Sequence, residues 1–269
     1  MRKDYIVGIY NLCDYWCDRC AFTRRCRNFS TVEELKEERG SARSDEENRA
    51  KWDSVDAVFG QARKRLDELA AERFDDVMTD LNDVPDADEF ERFQTEQEAH
   101  DRVVGRHFVV KAAEAYRQAV AAWLEAAGPE VKDTADRLIA QEKFAPEAGS
   151  AREEIERLEE LFDVVSWYHT LLLPKAHRMI SGLLKLPEES AWNDGSDVFG
   201  TGKLLLVSIE RSLSAWSQLL SVFPQQEDAI LGFLLRLDHL RRGIERAVPQ
   251  ARAFVRPGLD EPPVSFHTS

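Results

Sequence analysis

Apolar residues recur along most of this chain at intervals of three and four, the period of one buried helix face. A short helix is predicted after Cys26, where Ser30 and Thr31 precede Glu33 and Glu34 in a capping-box pattern, and Gly40-Ser41 ends it. A second starts at Ser44 and carries Trp52, Val55, Phe59, Ala62, Leu66 and Leu69, fading near Leu81 before a turn at Asn82 to Pro85. The third runs from about Asp88 to Ala127 with the stripe Phe93, His100, Val104, His107/Phe108, Ala112, Ala115, Ala119 and Trp123. Gly128-Pro129 is read as its stop. A shorter helix is expected over Glu130 to Lys143. Next comes a very regular stripe: Ile155, Leu158, Phe162, Val165, His169, Leu172, Ala176, Met179 and Leu183, with Pro174 expected to kink or divide it. The glycines and proline of residues 187–202 predict a loop. Leu206, Ile209, Leu213, Trp216 and Leu220 then mark a helix ending at Pro224. Ile230, Phe233, Leu234, Leu237, Leu240 and Ile244 mark a last one, with Arg236, Arg241 and Glu245 on its polar side.

No stretch alternates as a strand does, and there is no internal repeat. The expected fold class is therefore all-α, an antiparallel helical bundle whose longest helices span ~50 Å. Three parts are expected: a cysteine-rich module over residues 1–29, the bundle over 30–248 and an extended tail over 249–269.

The 269 residues are 43% hydrophobic and 32% charged, with only 13 glycines and 10 prolines, which excludes a disordered or collagen-like chain. No window approaches the roughly 18 consecutive apolar residues of a membrane span. The opening residues lack the cleavage pattern of a signal peptide, so a cytoplasmic protein is expected. Net charge is −14, unevenly divided. Residues 1–27 hold Arg2, Lys3, Arg19, Arg24, Arg25 and Arg27 against Asp4, Asp14 and Asp18, a net of +3, so the remainder carries −17. That acidity weighs against nucleic acid as a partner, although Tyr10, Tyr15, Trp16 and Phe22 interleave with the arginines. A protein or redox partner fits better. The pattern does not fix the oligomeric state.

All four cysteines lie in that basic cap. Cys13, Cys17, Cys20 and Cys26 have the spacing C-x3-C-x2-C-x5-C. In a reducing compartment such bunched thiols point to metal rather than to disulfides. Four thiolates this close in the chain can converge on one tetrahedral zinc ion or on an iron–sulfur cluster. The neighbouring arginines would offset the negative charge of such a site.

The segment Cys17-Asp-Arg-Cys20-Ala-Phe-Thr-Arg-Arg-Cys26 resembles the last three ligands of the [4Fe-4S] loop of the endonuclease III and MutY glycosylases. Its C-x2-C-x5-C spacing is also similar to cluster segments of Cas4-like nucleases. The resemblance implies that Cys13, Cys17, Cys20 and Cys26 are cluster ligands. It implies nothing about DNA repair chemistry, whose helix–hairpin–helix segment has no counterpart downstream. The opening C-x3-C-x2-C equals the radical SAM spacing too, but Arg19 stands where that family has an aromatic, and a fourth cysteine would close its open iron site. The expected function is a metal-binding helical protein holding a [4Fe-4S] cluster in a redox or electron-transfer role; the alternative is a helical interaction module stapled by structural Zn2+.

Other constellations are weaker. His100 and His107 lie two turns apart on one stripe, His169 lies on another, and Glu96 precedes His100 by one turn, so Glu96, His100, His107 and His169 form a candidate second metal site. No histidine has Glu three residues before it, as di-iron bundles require. Haem attachment fails because Ala21 follows Cys20. Gly195 to Lys203 imitates a phosphate loop, yet Thr201 and not Lys follows Gly200, so it reads as a helix N-terminus.

Overall fold

The computed structural model describes residues 4–40, 87–144, 150–185 and 195–260. The helix expected over Ser44 to Leu81 lies outside the described residues. Among the described residues every regular element is helical: α1 (Arg27–Gly40), α2 (Ala87–Arg106), α3 (Phe108–Phe144), α4 (Ser150–Lys185), α5 (Ser196–Val222) and α6 (Glu227–Ala247), with short 3-10 turns. The all-α reading holds, and no helix among the described residues is long and apolar enough to cross a membrane.

The chain forms two compact units, Met1–Tyr5 with Cys17–Gln97, and Ile6–Trp16 with Glu98–Ser269. In the first, 3-10 turns at Cys17–Arg19 and Thr23–Arg25 lead into α1, and the second of them packs against it. Arg25 donates to the carbonyl and the carboxylate of Asp4, each at 3.3 Å.

In the second unit α3, α4, α5 and α6 pack as a ring: α3 on α4, α4 on α5, α5 on α6 and α6 back on α3. The core between them holds Tyr116, Val120 and Trp123 of α3 and Val165, Leu172 and Met179 of α4. Ile209, Trp216 and Leu219 come from α5, and Phe233, Leu237 and Leu240 from α6. Each such side chain contributes about 1.5–3 kcal/mol on burial. The polar atoms among them are satisfied: the Trp216 indole donates to the Tyr116 hydroxyl at 2.9 Å, and Trp123 donates to Gln226 at 3.0 Å.

Several sequence expectations are corrected. Gly128-Pro129 does not stop α3, which runs on to Phe144 and absorbs the separate helix expected after it. A proline clashes with the Cβ of the residue before it, and Gly128 has none. Pro174 does not divide α4. Thr170, whose carbonyl loses its bond to the missing N–H, and Pro174 both face solvent, where water can serve that carbonyl.

The single helix expected over Asp88 to Ala127 is broken at His107, which shifts the phase of its stripe. Val104, Val109, Ala113, Tyr116 and Val120 are buried, while Phe93 and Phe108 of the predicted stripe are exposed at 63% and 44%.

The predicted loop over 187–202 is helical from Ser196 onward. Gly200 and Gly202 lie inside α5 because other segments press on them. A Cβ at Gly200 would come within 2.3 Å of Leu12, and one at Gly202 within 2.7 Å of the Ala251 Cβ. Residues 249–260, expected to trail as extended tail, make a 3-10 turn at Pro249–Ala251 that packs on α5 and α6, with Ala251 and Arg256 buried.

Candidate functional site: the cysteine segment and its anchor

The four cysteines are thiols, none in a disulfide, and all are half-buried. Cys13 belongs to the second unit, and its thiol lies 3.6 Å from the Tyr10 carbonyl oxygen. Cys17, Cys20 and Cys26 belong to the first. Cys17 and Cys20 share a turn closed by the Cys20 N–H donating to the Cys17 carbonyl at 3.1 Å. The Phe22 N–H points at the Cys20 sulfur, 3.4 Å away. Cys26 closes the next turn and sits directly before α1, its carbonyl accepting from the Ser30 N–H at 3.1 Å. Among the described residues no three His, Cys, Asp or Glu side chains are gathered as a metal-holding group.

Residues 6–16 are anchored on the helices by contacts that the sequence reading did not anticipate. The Asp14 carboxylate accepts from the Tyr168 hydroxyl at 2.8 Å and from Arg211 at 3.0 Å, and its backbone carbonyl accepts from the Trp167 indole at 2.9 Å. Trp16 stacks on Trp167 with ring centroids 5.2 Å apart, and stands edge-on to Tyr168 at 5.9 Å. Between these two anchors Tyr15 takes a left-handed backbone, φ 58°. For a residue with a Cβ this conformation costs about 1–2 kcal/mol, so contacts on both sides must hold it. The Lys175 ammonium lies 4.4 Å from the centre of the Tyr15 ring. Further along, Leu12 fills the notch at Gly200, and Arg256 donates to the Leu12 carbonyl at 3.3 Å.

Burial shapes the electrostatics here. It pushes the Tyr168 hydroxyl up to about 12, with the Asp14 carboxylate adding to the rise and Arg211 opposing it. Burial likewise raises Tyr15, Cys13 contributing further. It lowers Lys175, which is only 6% exposed, and the neighbouring charge of Arg178 lowers it more. Arg178 itself is held by both carboxylate oxygens of Asp197.

The candidate histidines have local partners. His100 pairs with the Ser181 hydroxyl at 2.8 Å, and His169 with the Val165 carbonyl oxygen at 3.2 Å. His107 occupies the break between α2 and α3, accepts the Val109 N–H at 3.3 Å and so caps α3; burial lowers its pKa. Glu96 lies exposed on α2. The glycine-rich stretch that imitates a phosphate loop lies in the first turns of α5. Thr201 is buried in α5, and Lys203 donates to the Arg252 carbonyl at 2.9 Å.

The anchor left one signal in the sequence. Tyr15-Trp16 beside the cysteines and Trp167-Tyr168 on a stripe are adjacent aromatic pairs, each with a polar tip that burial obliges to find a partner. No family model matches the chain, and neither a curated protein nor a solved structure matches it.

Proposed function

We propose that residues 1–29 act as a metal-binding module in which Cys13, Cys17, Cys20 and Cys26 hold a [4Fe-4S] cluster, serving a redox or electron-transfer role. The observation that carries this reading is the state of the cysteines: four thiols, none spent on a disulfide, in one short stretch of tight turns. Thiolates are the donors that iron–sulfur clusters take. The Phe22 N–H directed at the Cys20 sulfur is the type of outer hydrogen bond that tunes a ligating thiolate. A cluster would supply one-electron exchange; the protein's residues would supply the sulfur donors and compensating arginines, and Asp14 and Trp16 hold the Cys13 segment on the helices. In this reading metal binding draws the four thiols together and is coupled to local folding of the segment.

One observation favours the second reading, a structural zinc staple. Cys17 and Cys20 share one turn, as the two ligands of a C-x2-C zinc knuckle do. Anaerobic purification followed by iron, sulfide and zinc analysis separates the two. Iron and sulfide in equal amounts with visible charge-transfer absorbance, lost in Cys20→Ser, support the cluster. Stoichiometric zinc without iron overturns it in favour of the staple, and neither metal overturns both.

The helical body is read as a scaffold with antiparallel neighbours. Only five residues separate α3 from α4 and ten separate α4 from α5. The first link, at about 3.5 Å per residue, falls far short of the ~50 Å of α3 and α4, which supports reading these two helices as antiparallel. A cytoplasmic setting, where thiols stay reduced, and a protein or redox partner complete the proposal.

A further inference from the structure

Of the stripe that the sequence assigns to a core, Phe108 and Ala115 are exposed and Ala112 is only half-buried among the described residues. These residues and Lys111 occupy one face of α3, and Gly232, Leu235, Arg236 and His239 occupy one face of α6. Both sets step as i, i+3, i+4 and i+7, so each helix turns two successive turns toward the same open groove of about 480 Å³. Its floor is made of the small residues Ala112, Ala115 and Gly232. Its walls are Phe108 and Leu235, the latter 71% exposed. The Phe108 ring rests on Gly243, where a Cβ would come within 2.7 Å of it, so α3 and α6 approach closely beneath the groove. A third helix would complete this seam.

Charge says what kind of helix. The groove lining contains Lys111, Arg236 and His239 and no carboxylate, in a chain of net charge −14. Arg246 lies over the Phe108 ring at 5.8 Å and adds a fourth basic group at the rim. By contrast, Arg117 of α3 pairs with Glu114, and Arg241 and Arg242 of α6 pair with Asp238. The four basic residues at the groove form no ion pair among the described residues. Arg236 spends one N–H on the Gly232 carbonyl of its own helix, and Arg246 spends one on that of Arg242.

We propose that this groove is a docking site for an acidic amphipathic helix of a partner protein. The incoming helix lays an i, i+3, i+4, i+7 apolar edge between Phe108 and Leu235, and its flanking carboxylates meet Lys111, Arg236, His239 and Arg246. The groove recognises shape as well as charge. A flat anionic surface would reach the cations and leave the concave apolar floor unfilled.

The test uses the full chain and two dye-labelled peptides of about three heptads, each with leucines along one helical edge and either glutamate or lysine at the remaining positions. Fluorescence anisotropy should show saturable binding of the glutamate peptide, weakened by salt, and no comparable binding of the lysine peptide. Leu235→Asp and Arg236→Glu, both at exposed positions, should each weaken binding at least about tenfold while thermal unfolding stays unchanged. Lys203→Glu, outside the groove, should leave binding unaltered. Absence of glutamate-peptide binding overturns the proposal. So does equal binding of the two peptides, or retention of affinity in both groove variants. Vesicles of phosphatidylserine and phosphatidylcholine form a further arm: vesicle binding lost in Arg236→Glu, without peptide binding, assigns the groove to a lipid surface and overturns the helix.

Discussion

Trp16 stacks on Trp167 with ring centroids 5.2 Å apart and planes within 17° of parallel. Residues 151 positions apart in the chain thus fix where residues 6–16 meet the helices. The Trp167 indole N–H at the same time donates to the Asp14 carbonyl, so ring and backbone are held together. Trp16→Ala removes the stack from a half-buried position and should cost about 1–3 kcal/mol in urea unfolding. Hydrogen exchange of residues 6–16 should accelerate, while exchange in α6 changes little. Trp16→Phe should retain most of the protection. Unchanged exchange of residues 6–16 in Trp16→Ala would remove the stack as their anchor.

The Tyr168 hydroxyl bridges Asp14 and Arg211 and gives the anchor a pH signature. Its folded pKa is about 12, against an ordinary value of 10.0. Between these values the unfolded chain releases the proton that the folded chain keeps, so stability falls as pH rises through this window. The contribution is intact below pH 10 and lost above about 12. Tyr168→Phe should flatten this part of the stability profile, read as the difference in urea midpoint between the two proteins across alkaline pH. Identical slopes would show that Tyr168 ionises as freely folded as unfolded.

The fold was legible wherever a helix kept its phase. The α6 positions Ile230, Phe233, Leu237, Leu240 and Ile244 are buried as their spacing implies, and so are Leu158, Val165, Leu172, Ala176 and Met179 of α4. Legibility failed where a local rule met a tertiary contact. Glycine ordinarily weakens a helix, so Gly200 and Gly202 read as loop; close approach by Leu12 and Ala251 explains why glycine is used inside α5. His107 read as a stripe position, although its ring accepts a backbone N–H and starts a new helix out of phase with the last. At the candidate site the sequence marks the thiols and the basic residues around them, but not the attachment of residues 6–16. Asp14 meets Tyr168 and Arg211 only because α4 and α5 lie side by side, a pairing that no spacing along the chain encodes.

The segment after α6 is pinned by one ion pair with several hydrogen bonds. Arg256, buried, donates through its side chain to both carboxylate oxygens of Asp260 and through its backbone N–H at 2.9 Å, while another of its nitrogens reaches the Leu12 carbonyl. Burial alone would raise the Asp260 pKa, but the bonds to Arg256 outweigh it and the net shift is downward from 3.8. Stability from this pair is therefore present above pH 3.8 and lost as pH falls through the lower folded value. Asp260→Asn should cost about 1–3 kcal/mol at neutral pH and remove that acid sensitivity. A wild-type acid unfolding profile in Asp260→Asn would place the acid-labile contact elsewhere.

Two glycine substitutions should move stability in opposite directions. Gly105 lies in α2 with nothing within 4 Å of the position a Cβ would take. Alanine there loses less backbone entropy on folding, so Gly105→Ala should stabilise by up to about 1 kcal/mol. Gly202 offers the same propensity gain inside α5, but its added Cβ would come within 2.7 Å of the Ala251 Cβ and 3.3 Å of the Met179 sulfur. The methionine can turn away, whereas the alanine can yield only if the backbone of the Pro249–Ala251 turn moves. Overpacking of this kind costs about 1–3 kcal/mol, which exceeds the propensity gain, so Gly202→Ala should be net destabilising. Gly202→Ala combined with Ala251→Gly should recover much of the loss, since the pair restores the missing space from the other side. Thermal unfolding of the two single variants and the double mutant decides it: a stabilised Gly202→Ala would mean that the turn carries little of the fold's packing energy.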